Sequence, residues 1–411
     1  MPGFRQLLLS RFAAQWGDGL FQAGLAGAVL FNPERAADPA AIAAGFTVLL
    51  LPYSVVGPFA GALLDRWDRR RILVLANLLR GVLILLTALA VGTGQSGFPM
   101  FAGALFAVGV SRFVNSGLSA SLPHVVEDRH LVEANAVAAT LGAVVAVIGA
   151  GCAVGLRGVL GAGNSGSGMV TSVAVLGSIF GALLASRFAV GELGPDRVDE
   201  PVETIVAIAH GLGDGARVAL RTPSVAAGFV ALFAHRAAFG ASSLVTVLLL
   251  RYSLHDVGPL KAGMSGLGEV AFAGGAGLLL AGLLTARIVG RFGRRGAVCG
   301  ALVVAAGAQL ALGLSMTLPM ILAVAFVLIA AGQVIKLCVD SAAQRDVGDE
   351  TRGRVFALYD TLFNITQVIA VAVAAAIVPA DGQARWLLLV VIALYLIGLG
   401  GYLLVLRNRT A

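Results

Sequence analysis

The feature that most constrains this chain is a succession of apolar runs, each long enough to cross a bilayer, separated by short polar connections. They fall near residues 9–31, 42–64, 71–93, 98–120, 133–156 and 168–190, and again near 224–249, 263–286, 297–316, 319–340, 355–378 and 386–406. A membrane-spanning helix needs about 20 predominantly apolar residues, because 1.5 Å of rise per residue must cover roughly 30 Å of hydrocarbon. No soluble core could absorb so many runs. With 58% hydrophobic residues, 12% charged residues and a mean hydropathy of +0.91, the composition also lies outside that of water-soluble domains. The 54 glycines fit helices that approach closely in lipid, where small residues let backbones touch.

The formal charge of +7 points to topology rather than to a nucleic-acid partner. Of the 29 basic residues all but Lys261 and Lys336 are arginine, and they cluster between the apolar runs. An even number of spans puts both termini on one side. With the termini cytoplasmic, twenty basic residues lie inside and five outside, while Arg80, Arg112, Arg236 and Lys336 lie within spans. That asymmetry sets the orientation by the positive-inside rule, with the plasma (cytoplasmic) membrane as the expected site. The first span follows Arg5 and Arg11 without a small-residue cleavage site, so it is expected to stay as a helix. Cys152, Cys299 and Cys338 stand singly in apolar stretches and read as small buried hydrophobes.

Residues 191–222 form the longest polar stretch and divide the chain into six spans in 1–190 and six in 223–411. Within it Val202, Ile205, Val206, Ala209 and Leu212 recur at helical spacing. It is read either as a short helix on the inner membrane surface or as a solvated linker. The halves echo each other: Leu64-Asp65-Arg66-Trp67-Asp68-Arg69-Arg70 reappears 225 positions later as Val289-Gly290-Arg291-Phe292-Gly293-Arg294-Arg295. Repeated halves are a mark of secondary transporters.

The run from Gly61 to Arg70 resembles the G-x-x-x-D-R-x-G-R-R signature of the major facilitator superfamily, in the loop between spans two and three where that family carries it. Asp68 stands where the family usually has glycine, and Gly290 replaces the acid in the second copy. Gly17-Asp18-Gly19 in span one, Glu133-Ala134-Asn135-Ala136 entering span five and Arg352-Gly353-Arg354-Val355-Phe356 entering span eleven extend the resemblance along nearly the whole chain, toward the drug and siderophore exporters of the enterobactin-exporter type. The Gly-Pro pair of many antiporters is missing from span five.

The resemblance implies an all-α membrane protein of twelve transmembrane helices in two pseudo-symmetric six-helix bundles, working by alternating access with the substrate site midway between them. It implies a conformational latch of Gly61, Asp65, Arg66, Arg69 and Arg70 that holds span two against span eleven. Gly61 allows close contact and Asp65 faces a helix N-terminus, while the arginines also serve as orientation signals.

An ionisable group inside a membrane helix costs roughly 2.5–3.5 kcal/mol on insertion scales, so each asks for a function or an escape. Glu133, Glu269 and Asp360 sit near helix starts, where the dipole favours acids. Lys336 and Asp340, four apart, can pair or snorkel. Asn364 and Gln367 read as inter-helix hydrogen-bonding groups, and the glycosylation pattern at Asn364 is discounted because it falls within a span.

Asp18, Arg80, Arg112 and the pair His235-Arg236 remain. In the superfamily, spans one, four, seven and ten line the cavity, and three of them carry these charges. Counting from the inner surface puts Asp18 and Arg112 both about 13 Å deep, so they are expected to form a pair that protonation or substrate breaks, or else a static structural pair. His235, which titrates near neutrality, is a rival proton site or a packed histidine.

Gly161-Ala162-Gly163-Asn164-Ser165-Gly166 fits a nucleotide fingerprint, but it lies in an outer loop without the strand and helix that give the pattern meaning. No P-loop occurs, nor any nucleophile with a positioned base, so no cofactor, metal or enzymatic activity is expected. The expected activity is proton-coupled export of an apolar or amphipathic small molecule by a monomer. One alternative is import of a small polar or anionic metabolite held by Arg112 and Arg236; another is a transport-inactive scaffold on the same fold.

Overall fold

In a computed structural model the chain is helical almost throughout; the structure describes residues 2–33, 39–64, 67–95, 97–127, 130–194 and 205–407. Asp65 and Arg66 of the loop motif lie outside the described residues, and of Gly61 only its place within a helix is described. The helices are α1 (Pro2–Leu30), α2 (Pro39–Leu64), α3 (Arg69–Gly92), α4 (Phe98–Ala120), α5 (Leu131–Leu160), α6 (Asn164–Val173), α7 (Val175–Ser186), α8 (Ile205–Arg221), α9 (Pro223–Leu248), α10 (Gly263–Leu314), α11 (Leu318–Asp346), α12 (Asp349–Ala375) and α13 (Arg385–Arg407). Among the described residues nine helical stretches are long and apolar enough to cross a membrane. α1 is not one of them, since Gln15, Asp18 and Gln22 interrupt its apolar run.

Two departures from the expected spans have local causes. The sixth span breaks at Ala174 into α6 and α7, which follow each other without a loop. The eighth and ninth spans are joined end to end in α10, where Gly293 alone departs from helical geometry, with φ 69°. That left-handed backbone suits glycine, and one such residue redirects the chain without a connecting loop.

The chain divides into two compact units, one comprising Met1–Ala37 with Ala44–Thr204 and the other Asp38–Ala43 with Ile205–Ala411. Part of the polar stretch 191–222 lies outside the described residues. Its C-terminal part is helix α8, which packs on α12 and belongs to the second unit. Asp214 of α8 lies 3.5 Å from Arg354 of α12, and the backbone of α8 at Gly215 runs against that of Arg354.

Within each unit the same packing recurs. In the first, α1 packs against α5 and against α6 and α7, and α3 packs against α4, α6 and α7. In the second, α9 packs against α12 and α13, and α10 packs against α11 and α13. Shifting the helices of the first set by the 225-residue repeat overlays them on those of the second with small offsets at their ends, so the repeat legible in the loops extends to helix contacts.

The units are apolar on the outside, as a bilayer solvent requires. On α3, Leu75, Leu78, Leu79, Val82, Leu86 and Leu89 are exposed, while Asn77, Arg80 and Thr87 are buried. Polar groups turn inward because hydrocarbon cannot satisfy them. α1 reaches its neighbours through glycines. A Cβ on Gly177 of α7 would lie 2.6 Å from the Ala13 carbonyl and 2.7 Å from Gly17 Cα, and one on Gly19 would run into the carbonyl of Ala146 on α5.

Gly177→Val is expected to lower stability by about 1–3 kcal/mol, the usual cost of forcing extra atoms into a packed contact. Gly151→Ala, where an added Cβ meets nothing within 4 Å, should not lower it. Thermal melting of the purified variants in detergent tests the pair.

Candidate functional site

A polar network lies deep in the first unit, at the level where α1 is gripped by glycine contacts. Asp18 of α1 takes a hydrogen bond from Arg80 Nη1 of α3 at 3.1 Å on Oδ1, and one from Asn115 Nδ2 of α4 at 3.2 Å on Oδ2. Arg80 Nε donates to Ser178 Oγ of α7 at 2.9 Å. Four helices thus contribute one group each. The Arg80 side chain is 0% exposed and that of Asp18 13%, so the acid is the reachable member of the ion pair.

The geometry gives Asp18 a salt bridge with Arg80, an arginine that the count of depth does not single out. Arg112, three residues before Asn115 on α4, adds its charge to the same neighbourhood and interacts electrostatically with Asp18. Depth counted along the sequence could not choose between the two arginines, since Arg80 lies eleven residues from the start of α3 and is comparably deep. Rotation of α3 about its axis brings Arg80 to Asp18. Asn115 and Ser178 carried no charge to draw attention, and only the tertiary contacts reveal them.

The loop motif has local tasks in the described part. Asp68, the departure from the family pattern, is the N-cap of α3 and accepts from Arg70 N at 2.9 Å. Arg69 is buried and donates to the carbonyls of Ala120 at 2.9 Å and Leu193 at 3.3 Å. Arg70 donates to the carbonyl of Ser186 through Nη2 at 2.8 Å and Nε at 3.3 Å. Both arginines therefore sit at the negative C-terminal ends of α4 and α7, where the dipole favours a cation. In the second copy, Arg294 Nη1 lies 3.5 Å from Asp346 at the end of α11, the counterpart of the α4 terminus. Gly293 takes the position of Asp68.

In the second unit Arg236, Lys336, Asp340 and Asp360 interact electrostatically around Tyr359. His235 is buried between Phe239 and Tyr395, with ring centroids 6.1 and 5.6 Å away, and faces the backbone at Gly332. Arg236 lies over the Phe363 ring at 3.6 Å, a cation–π contact. Lys336 Nζ and Asp340 are 2.7 Å apart, with Lys336 over Tyr359 at 5.3 Å.

Asn364 Nδ2 donates to the Asp360 carbonyl of its own helix at 3.0 Å. Glu269 accepts from Lys261 N at 3.0 Å in the turn before α10. In the same turn the Ala262 amide and Lys261 hold the exposed Asp256 carboxyl below its ordinary range. Of the glycine-rich 161–166 sequence, 161–163 make the turn joining α5 to α6 and 164–166 begin α6; the turn is tied by Arg157, which donates to Phe31 O, Ala162 O and Ser167 Oγ at 2.7, 3.1 and 3.0 Å. Among the described residues no group of three or more His, Cys, Asp or Glu is placed to hold a metal.

An ion pair this enclosed predicts a coupled stability effect. Asp18→Asn leaves Arg80 buried without its counter-charge and is expected to cost roughly 3–5 kcal/mol. Arg80→Gln, which strands the more exposed partner, should cost less, and the double variant less than the sum. Unfolding of the four proteins in detergent, analysed as a double-mutant cycle, would contradict the pairing if the losses simply added.

The profile described as Major Facilitator Superfamily matches residues 7–335. An uncharacterized MFS-type transporter of Mycobacterium tuberculosis is 46% identical over 404 residues, covering 97% of this chain and 90% of the relative, and a Mycobacterium bovis protein so described matches equally. Among solved structures, a mutant of the peptide transporter POT superposes with a TM-score of 0.71 at 13% identity over 100% of this chain and 94% of that one. The nucleoside transporter NupG superposes with a TM-score of 0.67 at 12% identity over 98% of this chain and 99% of the other.

Proposed function

Since the chain belongs to the major facilitator superfamily, a family of membrane transporters rather than enzymes, we propose that it exports an apolar or amphipathic small molecule in exchange for protons, by alternating access. The observation that carries the reading is the Asp18 network. A carboxylate in the middle of α1 holds a fully enclosed arginine and keeps part of its own surface open. Adding a proton to Asp18 removes the charge that offsets Arg80. The freed guanidinium must then find other acceptors, with Ser178 already at hand. Proton arrival is thereby tied to rearrangement of α1 against α3, α4 and α7.

The same reading places the protein in the plasma membrane as a monomer with cytoplasmic termini, supported by the arginine asymmetry of the loops. It assigns Asp65 and Arg66 to a latch that favours one access state. Arg69 and Arg70, at the start of α3, tie the end of that loop to the last carbonyls of α4 and α7.

One observation favours a second reading. Arg236 is largely enclosed, and its Nε has no hydrogen-bond acceptor in the structure; an anionic cargo would supply one. In that case Arg236→Gln would abolish transport of anions and spare neutral compounds.

Purified protein in proteoliposomes with an imposed pH gradient, offered a panel of amphipathic drugs, siderophores and small polar anions, tests both readings. Wild type is expected to accumulate an amphipathic compound in vesicles with an acidic interior. Asp18→Asn is expected to lose the pH-driven component and retain exchange of cargo for cargo. Undiminished pH-driven transport by Asp18→Asn would end the coupling role of Asp18.

A further inference from the structure

We propose that the second unit carries a built site for an anionic phospholipid, on a face unrelated to the Asp18 network. Between the two limbs of α10 and helix α11 runs a groove of about 490 Å³, lined among others by Leu280, Leu284, Ile288, Phe292, Gly300 and Phe326. Its volume is within the roughly 300–1,000 Å³ typical of small-molecule sites. The lining is apolar throughout. At Gly300 a Cβ would meet nothing within 4 Å, so the groove stays open where a side chain would fill it.

Two exposed arginines flank the helix that forms one wall of this groove. Leu280, Leu284 and Ile288 are spaced by four along the first limb of α10, and that register puts Arg287 and Arg291 on the same side of the helix. Arg291 lies 5.7 Å from the centre of the Phe292 ring, itself part of the groove wall. Arg287 and Arg291 are exposed, whereas the nearby Arg294 is engaged by Asp346. The kink at Gly293 creates the arrangement: it turns the second limb away so that a concavity opens beside the arginines instead of a continuous helix face.

The ligand that matches is an amphipath with an apolar chain and an anionic head at the membrane surface. A bilayer supplies such a molecule on the lipid-facing side, and its phosphate suits guanidinium donors. A second copy of this chain would need complementary acids beside a protruding apolar ridge, and the two arginines favour the lipid.

Delipidated full-length protein in detergent, titrated with phosphatidylglycerol or phosphatidylcholine and read by native mass spectrometry, tests the site. Phosphatidylglycerol is expected to bind more tightly, with about five-fold loss of that preference for each of Arg287→Gln and Arg291→Gln. Gly300→Leu should weaken both lipids by filling the groove, and Val304→Phe does so from its lipid-facing wall if the first variant folds poorly. Equal binding of the two lipids by wild type would overturn the proposal. So would groove-filling variants that bind as wild type does, competition by glycerol phosphate as effective as by the lipid, or a bound second chain released by those variants.

Discussion

The structure depends on one constraint: hydrocarbon satisfies neither a charge nor a backbone hydrogen bond. A polar group carried into the membrane is therefore stabilised most by partners within the protein. Asp18 and Arg80 meet that demand together, with Asn115 and Ser178 supplying the secondary contacts. The arrangement fixes the rotation of α1, α3, α4 and α7 relative to one another, since each must present one particular residue to the same point. A buried ion pair adds little net stability, but breaking it by removing one partner is costly. It therefore acts more as a specifier of geometry, and as something whose disruption must be compensated, than as a source of cohesion.

Bringing four helices within hydrogen-bonding distance requires backbones to approach more closely than large side chains allow. The glycines of α1 and α7 supply that approach beside Asp18: Gly17 and Gly177 face each other, and a Cβ on Gly177 would lie 2.7 Å from Gly17 Cα. Small residues and the ion pair are thus two parts of one device. In the second unit the corresponding helix α9 carries His235 and Arg236 instead, and these are accommodated by aromatic rings of α9, α12 and α13. The units share their helix contacts and differ in the chemistry of their interiors.

The arginine-rich loops show how one sequence element serves two physical ends. Arg69 and Arg70 carry the positive charge of the loop motif and also satisfy the last carbonyls of α4 and α7. In the second copy, loss of the acid at Gly290 and of the capping residue at Gly293 leaves a kinked continuous helix. Arg294 there turns to a side-chain acid, Asp346, instead of backbone carbonyls.

Much of this was legible in the sequence. Helix positions could be read because span length is set by bilayer thickness; the repeat, because two halves of one fold keep the same loop chemistry; and the family, because Gly61 to Arg70 combines pattern with place. Lys336 and Asp340 could be matched because helical spacing alone brings residues four apart together. The salt bridge between Asp18 and Arg80, the roles of Asn115 and Ser178, the assignment of α8 to the second unit and the groove opened at Gly293 were decided only by the tertiary structure. Sequence fixes how deep a residue lies along its helix, through the rise per residue. Which way it points across the bundle depends on how the helices pack, and that is settled by contacts between residues far apart in the chain.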